Sequence, residues 1–375
     1  MKVFLVGGGT GGPTVPLLAV AQALVNIQKR VEFFFVGTRK RQEQKFLGSV
    51  PIPMTYLRIP AGKWRRPFSL ANLSDLFKIL FGFFKALLLL RKYRPDVIFG
   101  AGSFVQVPVA WAGYLLRIPV VIHQQDFSPL LSTKLVAPFA GAITLGFSYT
   151  EKNIPQAWGL FLKFPKSKTV VTGNPVRQEI LQGSAEEGRK LFGLSGDYPT
   201  LLVVGGGTGA KKLNEIVGQS LPELVKYVQV IHLTGGRTAR GEQTFNHAHY
   251  HPYEFLGMEM KHALAVADLV ISRGGMSTIT ELAALGKAAI LVPLPSSGQE
   301  ENVKFLASLG LVVPVAQEVL TPELVVKLVR KILWAPEIYQ KLRSRIKRLM
   351  PPDASEQIAR VILKIYNKAQ AQHGK

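Results

Sequence analysis

Two loops in this sequence have the make-up of an anion cradle. Residues 7–12 read GGGTGG and residues 205–210 read GGGTGA, each between a short apolar run and a stretch with helical spacing. Both meet the pattern G-x-G-x-x-G/A, through Gly7, Gly9 and Gly12 in the first and Gly205, Gly207 and Ala210 in the second. Glycines let the chain turn sharply and approach a ligand closely. The helix behind them aims unpaired N–H groups and a positive dipole end at negative charge. A dinucleotide site would add a carboxylate at the end of the second strand, to hold the ribose. Gly37 and Thr38 occupy that place in the first half, and Thr234 and Gly235 in the second. A nicotinamide cofactor is therefore not expected, and no other cofactor is called for.

A sharper pattern is ISRGGMSTITELAALG at 271–286. It reads as a strand ending at Ser272, a turn at Gly274 and Gly275, a helix whose first turn holds Ser277 and Thr278, and a stop at Gly286. Glu281 then sits in the second turn of an otherwise apolar stretch. A carboxylate there needs a partner, either a pair of ligand hydroxyls or a basic neighbour such as Arg273. A helix start for a diphosphate and a carboxylate for a ribose suit a sugar nucleotide. No Asp-x-Asp pair occurs, so a divalent cation on the diphosphate is not indicated. The helix dipole, with Arg273 or Arg177, would carry that charge instead.

The elements that must position these loops recur in two halves. Residues 2–6, 31–36, 96–99 and 119–123 read as strands, with a first helix over 16–29. Residues 200–204, 228–233, 268–272 and 288–292 repeat the rhythm. Such alternation predicts a parallel doubly wound sheet in each half. The expected lobes are 1–166 and 167–352, with 353–375 as a last helix that crosses back to the first.

At 375 residues and 47% hydrophobic content, the chain has material for two large cores. It has no cysteine, which excludes disulfides, thiolate catalysis and cysteine metal sites. The start MKVFLVGGGTGG reads as a first strand rather than a signal peptide. Lys and Arg number 46 against 24 Asp and Glu, so the net charge is +22. That calls for an anionic partner. Without zinc-finger spacing, an aromatic RNA-binding motif or a long basic block, nucleic acid is not expected, and an anionic membrane face is.

Residues 69–94 are rich in Phe and Leu but broken by Asp75, Lys78 and Lys85, so they are too polar to span a bilayer. Those three form one polar stripe and leave a wide apolar face with Phe77, Leu80, Phe81, Phe84 and Leu88. Lys63, Arg65, Arg66, Arg91, Lys92 and Arg94 flank it. A core-packing helix and an interfacial anchor both fit this pattern, and the flanking charges favour the anchor. His247, His249 and His251 alternate and would share a face of a strand, as a metal site requires, but their polar segment reads as a solvated loop.

Several motifs together resemble the MurG glycosyltransferases almost end to end. They are GGTGG then PLLAVA, GAGSFVQVP, PVVIHQQD, VTGNPVR, VVGGGTGAKKLN, YEFL, ADLVISRGGMSTITELAALG, and VPLP followed by Gln299 and Asn302. The resemblance implies an α/β fold of two Rossmann-like doubly wound parallel-sheet lobes facing across a cleft. It implies an inverting transferase that moves N-acetylglucosamine from UDP-GlcNAc to undecaprenyl-pyrophosphoryl-muramyl-pentapeptide in peptidoglycan synthesis. The place implied is the cytoplasmic face of the cell membrane, with peripheral attachment to the anionic surface through 63–94.

By the same resemblance, Thr10, Gly11 and Gly12 lie near the transferring sugar, and Arg177 reaches into the cleft. Gly207 and Thr208 face the phosphates, and Leu256 offers its backbone to the uracil. Met276, Ser277, Thr278, Ile279, Thr280 and Glu281 form the helix start for diphosphate and ribose, and Gln299 binds the sugar's hydroxyls.

Three departures stand out. The family's histidine after GGTGG is Pro13, its HEQN is HQQD at His123–Asp126, and the serine of its second loop is Gly207. Proline cannot accept a proton. Asp126 is then the candidate base, with a helix N-cap for 128–136 as its other role, and His123 is the second candidate, with a packed structural imidazole as its other role. Other readings that stay open are a UDP-sugar binder without activity, a transferase with another lipid acceptor, and a UDP-sugar epimerase of similar shape.

Overall fold

Strand β1 (Lys2–Val6) sends its side chains alternately into two cores, Val3 and Leu5 to one side, Phe4 and Val6 to the other. A strand buried on both faces is what a sheet sandwiched between helix layers requires. The computed structural model describes residues 1–8, 11–38, 47–48, 51–62, 71–153, 157–158, 162–163, 166–205, 210–235 and 245–373. Those residues form two units, Met1–Pro175 with Asp353–Lys375, and Val176–Pro352.

In the first unit β1 is joined by β2 (Glu32–Gly37), β3 (Met54–Arg58), β4 (Val97–Gly100), β5 (Val120–Gln124) and β6 (Ala142–Leu145). A two-residue antiparallel pair comes next, β7 (Ala157–Trp158) with β8 (Leu162–Lys163), and then β9 (Thr169–Val171). The main sheet is parallel, in the order β3-β2-β1-β4-β5-β6-β9. The order reverses between β1 and β4, the switch point beside which doubly wound folds place their sites. One face carries helices Gly11–Ile27 and Ala354–His373, the latter through Ile358, Ala359 and Ile362. The other carries Ala71–Tyr93, Gln106–Leu115 and Leu131–Val136. Each large apolar side chain buried in these layers contributes about 2 kcal/mol.

The first helix begins at Gly11, inside the glycine loop, earlier than the expected residue 16. Pro13 falls in its first turn, where a backbone N–H has no partner to lose. Gly7 explains why the strand end must stay bare, because a Cβ there would lie 2.5 Å from Leu17 Cδ1 and 3.2 Å from the Pro13 carbonyl oxygen. Residues 167–175, expected in the second lobe, belong to the first unit because β9 pairs with β6.

The second unit repeats the plan with β10 (Thr200–Val204), β11 (Gln229–Leu233), β12 (Tyr250–Tyr253), β13 (Leu269–Ser272), β14 (Ala288–Leu291) and β15 (Val313–Pro314). They form a parallel sheet in the order β12-β11-β10-β13-β14-β15. His251 lies on β12 rather than in a loop, while the His249 ring is held 2.9 Å from the Val225 carbonyl oxygen. Among the described residues no group of His and acids is arranged to hold a metal ion.

Candidate active site

The C-terminal edge of the second sheet carries the strongest chemistry. After β13, Gly274 is pressed against the next helix, where a Cβ would lie 2.5 Å from Val303 Cγ2 and 3.1 Å from the Gln299 carbonyl oxygen. Gly275 is the N-cap of helix Met276–Leu285 and offers no side chain to its first N–H groups. Gly286 ends the helix in the left-handed conformation, with φ 62°. The Gly275 N-cap leaves this helix start without a side-chain cap of its own, and a start of that kind favours a nearby anion.

Glu281 lies inside the unit, and its partner is Arg177. Arg177 Nη2 and Nε donate to the same oxygen, Glu281 Oε1, at 2.8 and 3.2 Å. The two side chains are 13% and 8% exposed. The partner suggested by the sequence, Arg273, is engaged elsewhere. Its Nη1 donates to the carbonyls of Val292 (3.2 Å) and Pro293 (3.3 Å), and its Nη2 to Gln317 Oε1 (2.7 Å). Burial lowers the Arg273 pKa from its ordinary value. Both guanidiniums are thus engaged by groups of the same unit.

Side-chain directions sort the rest of the helix start. Ser277 and Thr278 are half-buried. Ile279 is fully buried, and Thr280 turns its hydroxyl back to the Met276 carbonyl at 2.9 Å. Met276 is also buried, so the side chains of 276, 279 and 280 pack inward rather than meeting a ligand. Leu256, after β12, is buried. Gln299 opens helix Gln299–Ser308, and its Oε1 accepts from the Leu294 N–H at 3.0 Å. Thr10, Gly207 and Thr208 lie outside the described residues, while Gly11 and Gly12 are the first two residues of helix Gly11–Ile27.

In the first unit the HQQD turn is built by its own amides. Gln124 is fully buried, and its Nε2 donates to the carbonyls of Asp126 (3.0 Å) and Ser128 (3.1 Å). Its Oε1 accepts from Thr133 Oγ1 (2.6 Å) and the Leu130 N–H (3.4 Å). Asn174 Nδ2 donates to the Gln125 carbonyl at 3.1 Å. Asp126 is half-buried on this frame. It does not cap a helix at 128, because the helix starts at Leu131 and Leu130 is its N-cap.

His123 is fully buried, with Nδ1 at 2.9 Å from Thr144 Oγ1 and Nε2 at 3.0 Å from Asn174 Oδ1. Burial lowers its pKa to about 4, so the ring is neutral. Asn174 presents a carbonyl oxygen here, so the proton sits on Nε2 and the Thr144 hydroxyl donates to Nδ1. Both nitrogens are spoken for inside the unit, and the geometry makes His123 a structural imidazole rather than a base. Sequence reasoning does not single out Gln124 and Asn174 as scaffold. The one signal, for Gln124 alone, is a run of polar residues at a strand end, directly after the apolar part of a core strand.

Helix Ala71–Tyr93 keeps its apolar residues outward over much of its length. Phe77, Leu80, Phe81, Phe84 and Leu88 are exposed, Phe81 by 65% and Leu88 by 67%. Asp75 departs from the expected polar stripe. It points inward, nearly buried, and accepts from Lys78 Nζ at 2.7 Å. Lys63, Arg65 and Arg66 lie outside the described residues. Among the described residues no helix is long and apolar enough to cross a membrane.

The comparisons with known proteins agree in direction. Residues 3–145 match the glycosyltransferase family 28 N-terminal domain, and residues 200–363 its C-terminal domain. The chain is 35% identical to the UDP-N-acetylglucosamine--N-acetylmuramyl-(pentapeptide) pyrophosphoryl-undecaprenol N-acetylglucosamine transferase of Treponema denticola, over 88% of each chain. It is 34% identical to the protein of the same name from Lachnoclostridium phytofermentans, over 96% of this chain and 97% of that one. The crystal structure of Acinetobacter baumannii MurG aligns with a TM-score of 0.69 at 27% identity, over 97% of this chain and 99% of that one. A UDP-GlcNAc 2-epimerase from Neisseria meningitidis aligns with a TM-score of 0.70 over 97% of this chain and all of that one, but at 15% identity it shows a shared fold alone.

Proposed function

The chain belongs to glycosyltransferase family 28, and from that we infer that it transfers N-acetylglucosamine from UDP-GlcNAc to the lipid-linked N-acetylmuramyl-pentapeptide of peptidoglycan synthesis. The observation that carries the donor half is the uncapped N-terminus of helix Met276–Leu285 with the Glu281 carboxylate one turn behind it. The diphosphate meets the N–H groups and the positive dipole end. The ribose hydroxyls donate to Glu281, whose Oε2 has no protein partner among the described residues. As the glycosidic bond to UDP breaks, negative charge grows on the diphosphate, and the same helix end stabilises it. The acceptor hydroxyl attacks the anomeric carbon, and its proton goes to a base. The direct test incubates the protein with UDP-GlcNAc and the undecaprenyl-linked muramyl-pentapeptide. Released UDP with a new disaccharide supports the reading, and UDP binding without transfer would leave a binder.

Asp126 takes that proton. It stands just past the C-terminus of β5, the edge where such folds place their chemistry, and Gln124 and Asn174 hold its turn rigid. Pro13 cannot do this work, and His123 is buried and engaged. A positioned base contributes about 100- to 10,000-fold. Asp126→Asn should therefore slow transfer by that order while UDP affinity, measured by calorimetry, stays unchanged. Wild-type turnover in Asp126→Asn, together with a faster Pro13→His, would show an enzyme that runs without its base.

The acceptor is lipid-linked, so the protein must work at a bilayer. Helix Ala71–Tyr93 docks there, at the cytoplasmic face, with Phe81, Phe84 and Leu88 entering the headgroup boundary and Arg91, Lys92 and Arg94 meeting anionic lipid. Co-sedimentation with phosphatidylglycerol vesicles should fall at high salt, as screening predicts. It should fall further in a Phe81→Ser, Phe84→Ser variant. Insensitivity to both would mark this face as unrelated to lipid.

A further inference from the structure

Arg273 is 9% exposed, and among the described residues it has no carboxylate partner. Burying a cation against neutral acceptors alone is costly, so the arrangement needs a reason. The acceptors lie on two separate segments. Val292 and Pro293 come directly after β14, just beyond the last ladder pair, Leu291 with Pro314. Their carbonyls have left the sheet, and Arg273 supplies the donors the ladder no longer provides. Gln317 comes from beyond β15. A planar guanidinium fork can bridge oxygens on two segments at once, and an ammonium cannot.

Beyond Pro293 the chain forms a loop closed on itself. Ser297 Oγ donates to the Leu294 carbonyl at 2.5 Å, the Gln299 N–H donates to Ser297 Oγ at 3.3 Å, and the Leu294 N–H donates to Gln299 Oε1 at 3.0 Å. Ser296 holds a left-handed backbone, φ 55°, which costs energy for a residue other than glycine. Gln299 is half-buried, and its Nε2 has no partner among the described residues. The loop therefore presents one amide N–H donor whose place is set by the Leu294 bond on one side and by the clamped Pro293 on the other.

We propose that Arg273 is a positioning residue for donor-sugar selectivity: by clamping the Val292 and Pro293 carbonyls to Gln317 it fixes the loop that aims the Gln299 amide at a sugar hydroxyl. This rests on the reading of Gln299 as a ligand of the donor sugar. A donor held in one place reaches the oxygen of an equatorial hydroxyl and misses that of its axial epimer. A donor on a slack loop follows either. Arg273 thus acts on which sugar is transferred rather than on how tightly UDP is held.

The test compares kcat/KM for UDP-GlcNAc with that for its C4 epimer, UDP-GalNAc, in Gln299→Ala, Arg273→Lys and Gln317→Leu. Gln317→Leu removes one anchor without leaving a charge unpaired, so it keeps the test sharp if Arg273→Lys folds poorly. The expected result is a preference for UDP-GlcNAc reduced about tenfold in all three, with UDP affinity within about twofold of wild type. A general loss of structure would weaken UDP as well. If Gln299→Ala loses the preference while the Arg273 and Gln317 variants keep it, the positioning role is wrong and the Gln299 reading stands. If Gln299→Ala keeps the preference, the reading of Gln299 falls and takes the proposal with it.

Discussion

Lowering the pH from 7 to 4 is expected to cost each unit of this protein about 3 kcal/mol of stability, through one buried histidine apiece. His123 in the first unit is fully buried, and His232 in the second nearly so. His232 repeats the local chemistry of His123, with Nε2 at 3.2 Å from Asn214 Oδ1 and Nδ1 at 3.2 Å from the Tyr250 hydroxyl. Burial lowers both pKa values from 6.5 to about 4. Between those values the unfolded chain binds a proton that the folded chain refuses. Stability is then full above pH 6.5 and falls as the pH drops through the window toward 4. Against a total of about 5–15 kcal/mol, such a loss is large. Thermal melts at pH 7 and pH 4.5 should show it as a marked fall in midpoint. His123→Gln with His232→Gln should flatten the pH dependence even while it lowers the stability at pH 7. An unchanged slope in the double variant would assign acid sensitivity to other groups.

Glu281→Gln is expected to do two things at once, and separating them tests the site. It removes the anion that Arg177 faces, and a buried cation left unpaired costs about 3–5 kcal/mol. It also weakens the hydrogen bonds that ribose hydroxyls would donate to a carboxylate, worth about 1–3 kcal/mol. Calorimetry with UDP should therefore show a roughly 5- to 150-fold weaker complex. Arg177→Met combined with Glu281→Gln removes the unpaired charge and should recover much of the stability but none of the UDP affinity. Wild-type UDP affinity in a folded Glu281→Gln would remove Glu281 from the nucleotide site.

Much of the fold is legible in the chain, because the relevant physics is local. Strands β1, β4, β5, β10 and β13 are each built around an apolar run buried on both faces, and a parallel sheet between helix layers is what such runs build. The stop at Gly286 arises from a left-handed backbone that glycine takes most easily, and Gly274 is bare because the next helix leaves no room for a Cβ. The first helix starts five residues before the expected residue 16, because Gly11, Gly12 and Pro13 fit a first helical turn, whose N–H groups have no intrahelical partner to lose.

The sequence by itself determined the two doubly wound sheets, the helix start directly after Gly274 and Gly275, and the need of Glu281 for a partner. Only the tertiary structure decided who that partner is. Arg177 lies 104 residues away, whereas Arg273, eight positions before it, binds carbonyls instead. In the same way it placed Asp75 inward and turned His123 into a scaffold. A buried polar group is satisfied by whatever long-range packing brings within about 3 Å, and neither periodicity nor spacing along the chain carries that information.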